Sequence, residues 1–318
     1  MSFAEAPESQ LPAGNPIRHA ELHTARDAHT CDLCGSDDRM VIGRIGRDFR
    51  PLVTVVCRNC GLMRHDPMPS EEAQREYYEK NYRLSYKGAA EPRERDYRRD
   101  RQRAEARLEL LAPVLKPGMR ILDVGSGSGT FMLLARERGY SVHGIEPDVN
   151  YAKRLREKFN LPVHSGPWDT AELPEGAYDL VTMHHVLEHV RRPTAAIQQI
   201  HRWAAEGAHF YLSVPNIKNP NASPFNRNQP AHLYGFSNET LTMVALKAGF
   251  ALADIPNTGH TDLVFRRLPA PPENWFIYPR HGAEMVKFFN DHTFVKYLLR
   301  PVAYRRFVQQ IKRGLFGR

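Results

Sequence analysis

The chain has 318 residues, of which 42% are hydrophobic and 25% are charged, and this composition is typical of a soluble protein with room for one full α/β domain and a smaller unit. No stretch approaches the roughly 18 apolar residues that a membrane span needs, which excludes a transmembrane segment. The first residues lack the basic and apolar regions of a signal peptide, so we expect a cytoplasmic location. The formal charge of +8 is concentrated near the end, because residues 292–318 contain basic side chains and no acid.

Residues 1–27 are rich in proline, alanine, glutamate and glutamine, and we expect them to be disordered. The next segment, residues 28–68, contains all the cysteines of the chain. They form two Cys-x2-Cys pairs, each followed by a glycine that permits a tight turn: Cys31, Cys34, Cys57 and Cys60. Because zinc prefers four tetrahedral sulfur ligands in structural sites, the spacing predicts a small zinc ribbon built on a hairpin. The alternatives are two disulfides, which a cytoplasmic location disfavours, or four unrelated thiols.

The predicted ribbon is close to electrically neutral, with five arginines against four aspartates in residues 31–60. A phosphate-binding module normally shows a clearer basic face. We therefore interpret the ribbon as a docking or substrate-shaping module and expect no nucleic-acid partner.

Residues 69–112 are predicted to form helices that link the ribbon to the next domain. Ser70 is placed to cap the first helix, which runs into a tyrosine-rich stretch. Residues 91–109 then contain seven arginines and six acids, with opposite charges four residues apart. This pattern is typical of a solvated helix and favours it over an RNA-binding segment.

A glycine turn between a short apolar run and a helical stretch marks an α/β domain, predicted over residues 113–268. The turn reads Asp123-Val-Gly-Ser-Gly-Ser-Gly129, and its glycines allow the backbone to pass close to a ligand. Thr130 stands where a dinucleotide fold needs Gly or Ala, and no Lys-Ser/Thr follows, which excludes a P-loop. The next apolar run ends at Glu146, an acceptor placed for two ribose hydroxyls. The pattern predicts a doubly wound sheet with a nucleotide crevice at the end of its first strand.

The chain resembles the S-adenosylmethionine (SAM)-dependent methyltransferases of the doubly wound α/β type. Five blocks in the right order carry the resemblance, at residues 122–131, 144–148, 178–190, 210–216 and 232–241. It implies a mostly parallel seven-stranded sheet that ends in an antiparallel hairpin and binds SAM. The residues that it assigns to the cofactor are Asp123, Gly125, Gly127, Gly129, Glu146, Pro147 and His184, with Tyr78 from a segment that closes over SAM. For the tyrosine-rich segment, packing of an amphipathic helix on the main domain is the alternative.

Methyl transfer to a hydroxyl needs a base that removes one proton while the acceptor oxygen faces the methyl group. Candidate bases lie just beyond the fourth and fifth predicted strands of the sheet, at His184, His185, Glu188, His189 and His232. Residues 185–189 also match the H-x-x-E-H pattern of metalloproteases. They fall where this fold has a helix start, so we interpret them as part of the methyltransferase fold. We expect several of these histidines only to cap or hydrogen-bond a neighbouring loop.

The four-cysteine site, the Leu-Glu-His block and a histidine after the fifth strand resemble the zinc-ribbon sugar C-methyltransferases of deoxysugar pathways. This resemblance places the catalytic base at His232, with His189 and His185 as further candidates. Those enzymes read Tyr-x-Glu-His at this turn, whereas this chain reads Gln-Pro-Ala-His over residues 229–232. Carbon deprotonation needs several aligned groups, but a hydroxyl acceptor can manage with one imidazole. We therefore expect O-methylation of a sugar or glycan precursor.

The basic extension, residues 269–318, ends in a predicted helix with one apolar stripe formed by Tyr304, Phe307, Val308, Ile311 and Leu315. Packing of this stripe on the catalytic domain is one interpretation. A second is a helix that lies on an anionic membrane surface, which would suit a lipid-linked substrate. RNA binding is a weaker third, because the tail has charge but no separate platform for base stacking.

The favoured function is thus a SAM-dependent methyltransferase with a structural zinc ion and a small-molecule or glycan acceptor. An RNA methyltransferase and a non-catalytic SAM-binding scaffold are the alternatives. The neutral ribbon and the lack of an Asn/Asp-Pro-Pro-Tyr motif after the fourth strand disfavour the RNA enzyme. The sequence leaves the oligomeric state open.

Overall fold

A computed structural model describes residues 29–76, 94–219, 221–255 and 262–304. In chain order its main elements are β1 (Arg39–Ile45), β2 (Pro51–Cys57), β3 (Met63–His65), α1 (Glu71–Glu76), α2 (Glu94–Leu111), β4 (Arg120–Val124), α3 (Thr130–Glu137), β5 (Ser141–Glu146), α4 (Val149–Phe159), β6 (Val163–Ser165), β7 (Tyr178–His184), α5 (Pro193–Trp203), β8 (Ala204–Ser213), β9 (Tyr234–Gly235), α6 (Asn238–Lys247), β10 (Phe250–Leu252), β11 (Asp262–Arg267), α7 (His281–Asp291) and α8 (Phe294–Leu298). Short 3₁₀ turns at Trp168–Thr170, Leu187–His189 and Pro224–Arg227 lie between them.

Seven strands of the described residues form the main sheet, in the order β10-β11-β8-β7-β4-β5-β6. Strands β4 to β8 pair in parallel, and β11 is antiparallel to both β8 and β10. The predicted doubly wound, mostly parallel sheet with its final antiparallel hairpin is therefore confirmed. Strand β4 lies between β5 and β7, so the strand order reverses there and the loops that follow these three strands surround one crevice.

The central strands are almost continuously apolar because helices cover both faces of the sheet. Successive residues of a strand point to opposite faces. Ile121 and Leu180 accordingly belong to one hydrophobic cluster, while their neighbours Leu122 and Val181 belong to another. The two clusters form the core on either side of the sheet.

Helix α2 packs one face on the sheet and exposes the other. Ala104, Leu108 and Leu111 are buried in the same cluster as Ile121. On the outer face, Nε of Arg101 and Oε1 of Glu105 form an exposed ion pair at 2.9 Å. The interpretation as a solvated helix therefore holds for the outer face, whereas the inner face is part of the core.

The ribbon forms a second sheet in the order β1-β2-β3-β9. Its last strand comes from the α/β domain, because Met63 pairs with Gly235 and Arg64 with Tyr234. The main hydrophobic cluster also contains ribbon residues such as Leu33 and Leu62. The ribbon and the large sheet thus share backbone pairing and a common core.

Three predictions fall on residues outside those that the structure describes. They concern disorder of residues 1–27, the lid with Tyr78, and the apolar stripe beyond residue 304. Just before that stripe, helix α8 exposes Val295. Leu299, the first residue after the helix, is 82% exposed. The membrane contact of the tail stays a prediction. Among the described residues, the helices are too short or too polar to cross a bilayer.

Candidate active site and metal centre

The four cysteine side chains of the ribbon come together as their spacing predicts. The sulfur atoms of Cys31 and Cys60 are 3.5 Å apart, as are those of Cys34 and Cys57. All four lie within 4.8 Å of one another, and none is in a disulfide. Sulfur atoms bound at about 2.3 Å around one tetrahedral zinc ion would have separations close to these. The residues therefore fit a closed four-sulfur metal site.

Two glycine turns support this geometry, and the four thiols within it differ in acidity. Gly35 and Gly61 have φ angles of 71° and 80°, and their NH groups donate to the carbonyl oxygens of Cys31 and Cys57 at 2.7 and 2.9 Å. Hydrogen bonds among the four sulfur atoms lower the pKa of Cys34 well below its usual range and that of Cys57 to about 7, in both cases chiefly through Cys31. They raise the pKa of Cys31, chiefly through Cys34, and that of Cys60, chiefly through Cys31. Thiolates, the form that binds a metal, are thus favoured at two of the four positions.

The predicted glycine turn connects β4 to α3 at the edge of the crevice. Gly125, Gly127 and Gly129 have φ angles of 82°, 55° and 73°, which glycine adopts without strain. A Cβ atom at Gly125 would lie 2.3 Å from Cγ2 of Val186, and one at Gly129 would lie 2.3 Å from Cδ2 of Leu155. Both backbone conformation and packing therefore require glycine here.

Glu146 ends β5 with its carboxylate held by two backbone amides. Its Oε2 accepts a hydrogen bond from N of Gly127 at 2.6 Å, and its Oε1 accepts one from N of Asp148 at 3.0 Å. The side chain is only 3% exposed and lines the main cavity. The carboxylate is thus fixed beside the glycine turn, and its contact with a ribose stays a prediction.

Asp123 lies beneath the turn and not in the cavity wall. Its Oδ1 accepts a hydrogen bond from Oγ1 of Thr182 at 2.6 Å and is 3.6 Å from Nη1 of Arg107. Burial raises the pKa of Asp123, and these two partners oppose that shift. Arg107 also lies over the rings of Phe131 and Tyr211, 4.5 and 5.5 Å from their centroids. Asp123 therefore ties the end of β4 to helix α2.

A cavity of about 830 Å³ lies at the carboxyl ends of β4, β5, β6 and β7, a size typical of small-molecule sites. The predicted site residues in its wall are Gly125, Gly127, Glu146, Pro147, His184, His185, Glu188 and His189. Asp123, Gly129 and His232 are not among its described lining residues. The structure therefore brings most, but not all, of the predicted site residues to one cavity.

Sequence reasoning missed two parts of the cavity wall. The loop after β6 contributes residues 165–170, including the indole of Trp168, and helix α2 contributes Arg103. The position of the loop at the carboxyl end of a parallel strand is a signal that could have identified it. Arg103 carried no such signal, because the placement of α2 depends on packing.

Helix α1, the described start of the predicted lid, also lines the cavity. The side-chain amide of Gln74 donates to the carbonyl oxygen of His189. Arg191 donates from Nε to the carbonyl oxygen of Pro69 at 2.9 Å and pairs with Glu71 at 3.3 Å. This segment is therefore docked on the loop that follows β7.

His185 presents its ring at the end of β7. Its φ angle of 55° is uncommon for a residue with a side chain, and such conformations cluster at functional sites. Its Nδ1 lies 3.2 Å from Oε1 of the buried Glu188, while its own side chain is 44% exposed. A carboxylate thus orients an accessible imidazole.

His189 and His232 lie next to this pair. Their ring centroids are 4.8 Å apart, at an interplanar angle of 80°. The Nδ1 of His189 is 2.6 Å from the carbonyl oxygen of Ala231. Burial lowers the pKa of His189 and lowers that of His232 to about 3. Both imidazoles are therefore neutral near pH 7.

Residues 95–255, just over half of the chain, match the family described as methyltransferase domain. The chain belongs to this methyltransferase family. It is 32% identical over 114 residues to the ubiquinone biosynthesis O-methyltransferase of Pseudomonas aeruginosa strain LESB58, a match that covers 34% of this chain and 49% of that protein. It is 33% identical over 115 residues to the corresponding enzyme of Hahella chejuensis, covering 34% of this chain and 48% of that protein. This methyltransferase thus spans about half the length of the curated relatives it matches.

Among solved structures, the methyltransferase chain is similar to a SAM-dependent methyltransferase from Thermotoga maritima described as a possible histamine N-methyltransferase. The two are 19% identical with a TM-score of 0.44, and the match covers 56% of this chain and 94% of that one. The predicted fold and enzyme class agree with the family match. The resemblance to sugar methyltransferases finds no counterpart in these relatives.

Proposed function

We propose that the protein transfers a methyl group from SAM to a hydroxyl group of a small polar molecule. The observation that carries the proposal is that one cavity contains both the glycine turn with Glu146 and the His185–Glu188 pair. The first part suits binding of a nucleoside, and the second suits removal of a proton.

In the proposed site, SAM occupies the end of the cavity next to β4 and β5. The Glu146 carboxylate accepts hydrogen bonds from the ribose hydroxyls, and the turn at Gly125 and Gly127 lets the backbone approach the ligand. The indole of Trp168 offers a flat apolar surface to the adenine ring. SAM supplies the positive sulfonium that makes its methyl carbon electrophilic.

His185 is the proposed base. The Glu188 carboxylate orients its imidazole, as a carboxylate does for the histidine base of a catalytic triad. As the acceptor oxygen bonds to the methyl carbon, the carbon–sulfur bond breaks and sulfur keeps the electron pair. The hydroxyl proton passes to Nε2 of His185. His232, the base favoured from sequence, is outside the described cavity wall and its imidazole binds protons weakly, which supports His185 instead.

The relatives support oxygen as the atom methylated, since the curated proteins that the chain matches are named O-methyltransferases. The cavity supports a small polar acceptor. Its volume is limited, and its wall includes charged side chains such as Arg103 and Glu71. A sugar or glycan precursor remains within this class of acceptor.

We also propose that Cys31, Cys34, Cys57 and Cys60 bind one structural zinc ion. The sulfur separations and the glycine turns support a closed site without a free coordination position. Zinc would then stabilise the ribbon and take no part in methyl transfer.

In the test, the protein is incubated with SAM labelled in its methyl group. Nucleotide sugars, catechols and RNA are supplied as acceptors in separate reactions. Mass spectrometry then locates the label. We expect a methyl ether on a small molecule and unlabelled RNA. Label in RNA alone would contradict the proposal, and so would a label on nitrogen or carbon of the small molecule.

A further inference from the structure

Large apolar side chains are exposed in two segments that lie outside the wall of the cavity. One segment is the hairpin between β1 and β2, and the other is helix α8 with the residue that follows it. The exposed side chains, called the apolar patch below, are Ile45, Phe49, Phe294, Val295, Leu298 and Leu299. Contiguous exposed apolar surface marks interaction sites on soluble proteins.

The two segments border the same 3₁₀ turn, Pro224–Arg227. The ring centroids of Phe49 and Phe225 are 5.1 Å apart, and the turn packs on α8. The backbone NH of Arg47 also donates to the carbonyl oxygen of Asn228, just after the turn, at 2.8 Å. The turn therefore holds the hairpin and α8 beside each other.

Helix α8 presents its apolar face to solvent. Tyr297 is buried, whereas Phe294 and Leu298 are exposed one turn apart, and so are Val295 and Leu299. Residues four positions apart lie on the same face of a helix, so these two pairs form one stripe. Water thus contacts the kind of surface that a helix normally buries.

Phe49 occupies an unusual position at the tip of the hairpin. Its φ angle is 64°, in the left-handed region that bulky side chains rarely adopt, and its side chain is 82% exposed. Strained backbone of this kind clusters at functional sites. Because most of the ring contacts solvent, packing within the described residues does not account for an aromatic side chain there.

The charged residues beside the patch are mainly basic. In residues 44–50 and 291–300 there are five basic side chains against two acidic ones. The basic residues are Arg44, Arg47, Arg50, Lys296 and Arg300, and the acidic ones are Asp48 and Asp291. Residues 305–318 continue this charge with five further basic residues and no acid.

A buried arginine adds positive charge at the turn between the two segments. Nε and Nη2 of Arg227 have no hydrogen-bond partner among the described residues, and its guanidinium lies 4.8 Å from the ring centroid of Phe288. Burial lowers the pKa of Arg227 to about 10, and the charge of Arg300 contributes to this shift. Both arginines are therefore charged near pH 7, and the patch favours an anionic partner.

We propose that the apolar patch binds the surface of an anionic lipid bilayer. The apolar side chains enter the boundary between headgroups and acyl chains, and the basic residues contact lipid phosphates. A second copy of the chain would place the same positive charge against the patch, and so would residues 305–318. Nucleic acid would find no stacking surface on Val295, Leu298 or Leu299.

The experiment measures binding to vesicles by flotation. Full-length protein is mixed with vesicles of phosphatidylcholine alone or of phosphatidylcholine with phosphatidylglycerol. We expect binding to the anionic vesicles at low salt, its loss as the salt concentration rises, and no binding to the neutral vesicles. A chain that ends at Tyr304 should still bind the anionic vesicles.

Variants within the described residues test the patch itself. The double variant Val295→Ser/Leu299→Ser should bind anionic vesicles at least tenfold more weakly, because two large apolar side chains no longer leave water. Arg44→Gln should weaken binding about fivefold through the loss of one basic residue. Leu252→Ser, at an exposed apolar position of the edge strand β10, is the control and should bind as the wild type does.

SAM affinity by calorimetry reports whether each variant is folded. Should the double variant fail to fold, hydrogen–deuterium exchange of the wild type supplies the same test, since residues 294–299 should exchange more slowly with anionic vesicles only. Absence of binding by the wild type, equal binding to neutral vesicles, or binding of the double variant at wild-type strength would overturn the proposal.

Two further outcomes would assign the patch or the binding elsewhere and so overturn the proposal. One is a wild-type dimer in analytical ultracentrifugation that becomes a monomer in the double variant, which would make the patch an interface between two copies. The other is complete loss of vesicle binding by the chain that ends at Tyr304. Because no turnover is measured, failure of the membrane proposal leaves the methyl-transfer proposal standing, and an inactive protein that binds the vesicles does the reverse.

Discussion

Asp32 of the ribbon caps helix α5 of the catalytic sheet through Thr194. Its Oδ2 accepts hydrogen bonds from N and Oγ1 of Thr194 at 2.9 and 2.6 Å. The NH of Thr194 is one of the first-turn groups that have no partner within a helix, and Arg192 at the N-cap makes no side-chain cap hydrogen bond. Asp32 directly follows the zinc-ligand candidate Cys31, so the cysteine site and the start of α5 are held in one position.

We expect Asp32→Ala to lower the free energy of unfolding by about 1–2 kcal/mol, the usual effect of removing a charged cap. Urea denaturation measures this change, and zinc content should stay at one ion per chain. The control is Asp37→Ala, an exposed ribbon aspartate. Equal stability of the two variants would show that the contact contributes nothing.

Loss of one cysteine ligand should destabilise the whole chain and not the ribbon alone. Cys57 belongs to the same hydrophobic cluster as Leu122 of β4, so release of the metal loosens a shared core. We expect Cys57→Ser to lose zinc by elemental analysis and to lower the unfolding midpoint by about 5–10 °C, equivalent to a few kcal/mol. Ser36→Ala in the same ribbon serves as the control. A Cys57→Ser protein that retains one zinc ion per chain would refute the four-sulfur site.

Replacement of Glu146 should weaken SAM binding selectively. Hydrogen bonds to a charged group contribute about 1.5–3 kcal/mol, so Glu146→Ala should raise the dissociation constant about 10- to 100-fold in calorimetry. Glu137→Ala, at an exposed position of α3, should bind SAM normally. Unchanged affinity of Glu146→Ala would remove this residue from the cofactor site.

The two candidate bases can be separated by comparing His185→Ala with His232→Ala. We expect His185→Ala to reduce kcat by about 10²- to 10⁴-fold with little change in SAM affinity, as for a positioned acid–base group. We expect a much smaller loss of kcat for His232→Ala, because its side chain is not among the described residues that line the cavity. A silent His185→Ala together with an inactive His232→Ala would restore the assignment made from sequence.

Asp66 should make the stability of the protein depend on pH. Burial alone would raise its pKa, but Arg64 at 3.1 Å and His29 at 2.7 Å outweigh burial, and the net pKa is lowered. The pKa of Asp66 is therefore lower in the folded protein than the value of about 3.9 in the unfolded chain. Its ionised carboxylate adds to the free energy of unfolding above about pH 3.9, and this contribution is lost as the pH falls through the pKa of the folded state. Asp66→Asn should therefore cost about 1–3 kcal/mol at pH 7, and the difference from wild type should shrink below about pH 4.

Urea denaturation of wild type and Asp66→Asn at pH 7 and pH 3 checks this expectation. Asp38→Asn, an exposed aspartate beside Arg58, is the control and should follow the wild type at both values. A constant gap between the wild type and Asp66→Asn across this range would mean that the carboxylate does not titrate as proposed.

The sequence by itself determined the features that depend on neighbours in the chain. The spacing of Cys31 and Cys34, and the left-handed turn that glycine permits after them, bring two thiols together within a few residues. The alternating glycines from Gly125 likewise reflect a local backbone requirement at the end of a strand. Alternation of strands and helices then fixed the fold class, because parallel strands need helical crossovers.

Only the tertiary structure decided which distant groups meet. β9 pairs with β3 of the ribbon, and this pairing brings the loop with His232 against Glu188 and His189. It also left His232 outside the described cavity wall and gave His185 the accessible place beside Glu188. No periodicity in the chain encodes such contacts, because they arise from the packing of whole elements whose side chains are far apart in sequence.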